Sequence, residues 1–182
     1  MKMIMRSGII GLLLGLIIWP VMAQTTIHLK PYTDSSYGLK SVVPESWQDV
    51  GGGLFERNQS PTDVTVILQQ SVPASADTIM TNLLPRLGLT TAPDSVGTYQ
   101  SKLLNWTLYL VSFKTLSTTL MVDIALAEDA ASGKTYLVSL QTTADEYDAL
   151  HQTVFLPILD AMLPYIEPPI AHISCLHCRL RH

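Results

Sequence analysis

Hydrophobic and polar residues alternate in two periods along this chain. Within 119–128, Leu120, Val122, Ile124 and Leu126 fall on one side of an extended strand, and Met121, Asp123, Ala125 and Ala127 on the other. Side chains of a strand alternate between faces, so this predicts a half-buried strand with the first set toward the core. Ile79, Met80, Leu83, Leu84 and Leu87 recur instead with the spacing of one helix face. Ser75 fits the N-cap of that helix and Asp77 its first turn, Pro85 should kink or end it, and Gly88 should close it. Tyr147, Leu150, Val154, Ile158 and Met162 form a second stripe and predict a long closing helix. Thr143 and Glu146 fit a capping box at its start, Pro157 predicts a kink, and Pro164 ends it. Asp145, Glu146 and Asp148 resemble an acidic cluster, but all lie in the first turn, where negative charge offsets the helix dipole.

Further strands are predicted at 37–43, 54–57, 63–70, 96–101, 104–114 and 134–142. Turn formers separate them: Pro44, Gly51-Gly52-Gly53, Asn58-Gln59-Ser60-Pro61 and Ala131-Ser132-Gly133. Strands joined by such short loops pair antiparallel, because a parallel crossover needs a dozen or more residues. The pattern therefore predicts an α+β fold, a mostly antiparallel sheet of about six or seven strands flanked by two helices. It occupies 37–165 as a single domain, after an irregular lead-in at 24–36. Residues 166–182 are expected to form a disordered tail.

The first 23 residues read as an export signal. Lys2 and Arg6 precede an uncharged apolar stretch at 8–19, and Val21-Met22-Ala23 offers small residues before a cleavage point. As a helix that stretch rises only about 18 Å, short of the ~30 Å needed to span a bilayer, and Pro20 interrupts it. The expected location is thus periplasmic or extracellular, with no membrane span after cleavage. Of the 182 residues 47% are hydrophobic and 14% charged, and the formal net charge is −4. Low charge with high apolar content excludes a disordered chain, and the acidic balance excludes nucleic acid as a partner.

Catalytic motifs are missing. No Gly-x-Ser-x-Gly elbow and no Ser-x-x-Lys occurs, and the triple glycine lacks the Lys-Ser or Lys-Thr of a phosphate loop. His28 stands alone, and His151 flanks the closing stripe with no nucleophile in a recognisable motif nearby. No catalytic residue and no cofactor is assigned, and the reading leans away from an enzyme. Metal-capable residues gather only in the tail, where Cys175, Cys178, His177 and His182 have spacings that let thiolates and imidazoles reach one zinc. An oxidising compartment favours a disulfide over such a site. Trp47 and Trp106 are expected in the core, and Trp106 and Tyr109 on opposite strand faces cannot form one stacking platform.

The order of elements and the segment YGLKSVVPESW (37–47) resemble the PsbP-like fold, shared by an extrinsic photosystem subunit, a nuclear-import factor and many small exported bacterial proteins. VPESWQDVGGGLFER (43–57), LNWTLYLVSF (104–113) and DEYDALHQTVFLPILDAM (145–162) resemble the non-catalytic amino-terminal module of some secreted bacterial serine hydrolases, α/β-hydrolase-like or β-lactamase-like. The catalytic domain of those enzymes is absent here, so no catalytic residue carries over. Together these readings imply an exported, non-enzymatic accessory or binding domain, whose partner is an envelope or secreted protein, a hydrolase among the candidates. The alternatives are a stand-alone or truncated hydrolase module, inactive alone, and a metal or redox role for the tail.

Overall fold

Turn formers cut residues 26–165, the part described by a computed structural model, into ten strands and two helical regions. In order these are β1 (Leu29–Asp34), β2 (Leu39–Pro44), β3 (Gln48–Gly51), β4 (Leu54–Glu56), β5 (Val66–Val72), α1 (Ala76–Leu83), β6 (Ser95–Gln100), β7 (Asn105–Lys114), β8 (Thr119–Asp129) and β9 (Lys134–Thr143). The closing helix follows as α2 (Tyr147–Leu150), a π turn (His151–Phe155) and α3 (Leu156–Ala161), and β10 (Leu163–Pro164) ends the described chain. The expected signal segment and the tail, with Cys175, Cys178, His177 and His182, lie outside the described residues.

Seven strands form one sheet in the order β3-β4-β5-β9-β8-β7-β6, and three form a second, β1-β2-β10. Every pair is antiparallel. The stretch 24–36 is not an irregular lead-in: six of its residues are β1, paired with β2 from Leu29↔Pro44 to Asp34↔Leu39. Pro31 and Lys30 disguise it, yet both suit an edge strand, where a missing N–H and a charge do no harm. Strand 37–43 likewise belongs to the small sheet rather than the large one. The turn at 51–53 is as expected, and Gly53 is required there. It has φ +75°, and a Cβ would collide with the Gln69 carbonyl oxygen.

α1 carries the chain from β5 to the far edge strand β6 and covers one face of the large sheet. Ser75 caps it, accepting from the Thr78 amide, and Gly88 closes the following 3-10 turn in the left-handed conformation. Ile79 and Met80 pack there on Val111, Val122, Ile124 and Leu126. The opposite face is covered by the closing helix and the small sheet, where Leu150, Val154 and Ile158 meet Ala125, Val138 and Leu140. β8 is therefore buried on both faces, not half-buried: Asp123 and Ala125 are as enclosed as Val122 and Ile124. Trp47 and Trp106 are core residues, as expected.

The closing helix departs from its expected start. Thr143 and Glu146 make no capping box, since the N-cap is Glu146 and no side chain caps the helix amides. At Pro157 the closing helix is interrupted, by a change of helix type. Pro157 stands in the first turn of α3, after the π turn in which the Leu156 amide bonds back five residues to the His151 carbonyl. An α-helix would bring the Pro157 ring against the carbonyl of residue 153, and widening by one residue relieves that contact.

Candidate functional site

Two groupings bring chemistry-bearing side chains together. The first lies under the start of the closing helix. Asp123, central in β8 and 3% exposed, accepts from the Tyr147 hydroxyl at 2.9 Å and is 2.7 Å from His151 Nδ1. The His151 ring stacks obliquely between Tyr147 and Phe155. Burial pushes the Asp123 carboxyl up, and the hydrogen bonds from His151 and Tyr147 draw it only part of the way back. Burial beside Asp123 raises the Tyr147 phenol as well. A carboxylate that holds Nδ1 orients the imidazole as in acid–base machinery. Among the described residues, however, His151 Nε2 makes no hydrogen bond, and no hydroxyl or thiol stands against it. One turn earlier, Arg57 binds Asp63 through Nε and Nη2 (2.8 and 3.0 Å) and Glu146 through Nη1 and Nη2 (2.7 and 2.9 Å). Here Glu146 serves an ion pair, not the helix dipole.

The second grouping is a cleft of about 530 Å³ at one end of the sandwich, where the turns β1–β2, β6–β7 and β8–β9 meet the end of β10. Each wall has a local cause. In the β6–β7 turn the Ser101 hydroxyl donates to the Leu104 carbonyl at 3.1 Å and receives the Trp106 indole N–H at 3.2 Å. That lock turns Leu104 inward (3% exposed) and leaves Leu103 at the lip (65%). In the β8–β9 turn, Asp129 accepts from the Ala131 amide (3.1 Å) and the Ser132 hydroxyl (2.6 Å). Ser132 first, then the backbone amides, holds its carboxyl below the usual range. Tyr165 is fixed by its amide, which donates to the Gly38 carbonyl at 2.8 Å. A second, smaller depression of about 440 Å³ lies on the other side of the same hairpin, between Ser75 and Glu128.

Sequence reasoning placed His151 beside the stripe but did not join it to Asp123, which strand alternation had put on the second face of β8. Nor did it find the cleft, whose walls come from four separate stretches. No run of sequence announces it.

No family model matches the sequence, and no curated protein matches it. Solved structures do. The Ran-binding protein Mog1p of Saccharomyces cerevisiae superposes with a TM-score of 0.53 at 12% identity, over 76% of this chain and 96% of that one. The fold is that of Mog1p. The PsbP-like α+β architecture expected from the sequence is thus the observed one, except that strand 37–43 leaves the large sheet to pair with β1 and β10, and β3 completes the seven. A Bacteroides thetaiotaomicron protein gives 0.50 at 12% identity, over 76% of this chain and 49% of that one. Cyanobacterial PsbP of Synechocystis gives 0.47 at 11%, over 79% and 96%.

Proposed function

We propose that the protein is an exported, non-enzymatic binding or accessory domain that uses the cleft at the end of the sandwich. The observation that carries this reading is the cleft itself. Its volume falls within the roughly 300–1,000 Å³ of ligand sites, it is walled mainly by carbon, and an exposed leucine stands at its lip. Mog1p, whose fold this chain has, is a Ran-binding protein, so the architecture supports recognition elsewhere. Export rests on Lys2, Arg6 and the apolar stretch after them. No helix of the described residues is long and apolar enough to cross a membrane. A narrower form, in which the chain is a serine-hydrolase module or serves such an enzyme, rests on the three sequence segments that resemble one.

The test is a pull-down from the parent's envelope fraction with the mature domain as bait, repeated with Leu103→Asp. Capture of a defined partner by the native domain, lost in the variant with its far-UV spectrum unchanged, is expected. Esterase, amidase or β-lactam turnover that disappears in His151→Ala would overturn the binding reading in favour of an enzyme.

A further inference from the structure

The cleft is lined by one ammonium and one carboxylate, and the two are engaged differently. Lys134 lines it, and among the described residues this ammonium enters no ion pair. Its one hydrogen bond is long, 3.5 Å to the Tyr37 carbonyl oxygen. The carboxylate across the β8–β9 ladder, Asp129, is committed to the turn through Ala131 and Ser132. Gly38 lies beneath the ammonium: a Cβ there would come within 3.1 Å of Lys134 Nζ, and at φ +66° glycine is favoured in any case. A second ammonium, Lys40, sits 4.8 Å from the centre of the Tyr165 ring at the rim. Among the described residues, Lys134 is thus the one cation of a lining that also holds the turn-bound Asp129 and Ser132, with Leu103, Leu104, Tyr136, Pro164 and Tyr165 as its larger apolar walls.

We propose that this cleft binds a small amphipathic anion, a single carboxylate on a hydrocarbon body. The carboxylate meets Lys134, and the hydrocarbon lies against Leu104, Tyr136 and the inner side of Leu103. Charge complementarity selects the head group, because an ammonium with one long hydrogen bond gains more from a carboxylate than from water alone. The apolar walls select the body, since burying hydrocarbon there removes its surface and theirs from water. A polyanion fits poorly: Lys40 already rests on an aromatic face, which leaves Lys134 as the one cation facing the pit. This inference rests on the binding reading above and names the ligand class for the same cleft.

The experiment titrates the full chain with decanoate and with decanol, both below their aggregation limits, and follows backbone amide shifts by NMR. Saturable one-site binding of decanoate is expected, with shifts confined to Gly38, 103–104, 129–136 and Tyr165. Lys134→Gln should weaken decanoate by about threefold to tenfold, the range between an exposed ion pair and a charge-assisted hydrogen bond. Decanol binding should be unchanged by that substitution, and Lys40→Gln should alter decanoate affinity less than Lys134→Gln does. Unsaturable shifts scattered over the surface would overturn the proposal, as would equal affinity of native and Lys134→Gln protein for decanoate. So would occupation of the same amides by a short peptide with a free carboxyl terminus when decanoate leaves them unmoved. Partner capture that is lost in Leu103→Asp, with no decanoate binding, sinks this inference and leaves the binding reading standing.

Discussion

At the start of the closing helix Arg57 holds Asp63 and Glu146, each through two hydrogen bonds; one turn further on, Asp123 holds Tyr147 and His151 through one each. Both clusters tie the helix to the strands beneath it, but they treat charge in opposite ways. In the first, burial raises the Asp63 carboxyl, and the bonds from Arg57 and from the Gln59 and Thr65 amides outweigh it and leave it well below the ordinary range. Glu146 is lowered by the same guanidinium. In the second, no permanent cation is present, and burial wins. A carboxylate under a helix is thus stabilised or penalised according to whether its partner stays charged at every pH.

The contrast can be broken most severely at Arg57. Arg57→Ala leaves Asp63, whose side chain is only 2% exposed, without its counter-charge. The expected loss is about 3–5 kcal/mol in urea unfolding, and a loss below about 1 kcal/mol would mean that the first cluster is no more than a surface contact. His151→Ala should destabilise less, by about 1–3 kcal/mol, because Asp123 keeps the Tyr147 hydroxyl and takes up a proton in place of its lost partner. Equal losses at the two sites would erase the distinction.

The pH profiles sharpen it further. Asp63 and Glu146 have folded pKa values below their unfolded ones. Their contribution is therefore full above about pH 4.5 and falls as acid protonates them. Asp123 has a raised folded pKa, so its contribution is full below about pH 3.9 and is lost as pH rises through the folded value. Measured from pH 3 to 7 in denaturant, the deficit of Arg57→Ala should grow with pH, whereas Asp123→Asn should gain on the native protein over the same range. Parallel profiles would contradict the assignment of the two clusters. The smallest effect belongs to Glu146→Gln. Its side chain is 41% exposed, so a loss under about 1 kcal/mol is expected from the same unfolding curves.

The elements with strong periodicity were legible from residues alone. Ser75, the stripe from Leu150 to Met162 and the alternation of β8 each state a local requirement that the tertiary structure also satisfies. What escaped had no local statement. β1 is an edge strand whose partner, not its composition, makes it a strand. The second face of β8 reads as exposed because Asp123 interrupts it, and only the closing helix, brought back over the sheet, supplies the tyrosine and histidine that allow a carboxylate there. Glu146 fits a capping box by spacing, yet Arg57, 89 positions away, takes its carboxylate. The cleft is the extreme case: Gly38, Leu104, Lys134 and Tyr165 meet through strand order alone.

The π turn at His151–Phe155 also limits how this protein can change its length. Removing one residue from it would restore an unbroken α-helix but rotate everything downstream by about 100°. Ile158 and Leu159, both fully enclosed, would swing off the sheet, and the Pro157 ring would meet the backbone that the wider turn avoids. The closing helix is in this sense locked in phase. Substitutions can be absorbed along it one at a time, whereas a single-codon deletion between His151 and Phe155 should be purged even where each of those residues tolerates replacement.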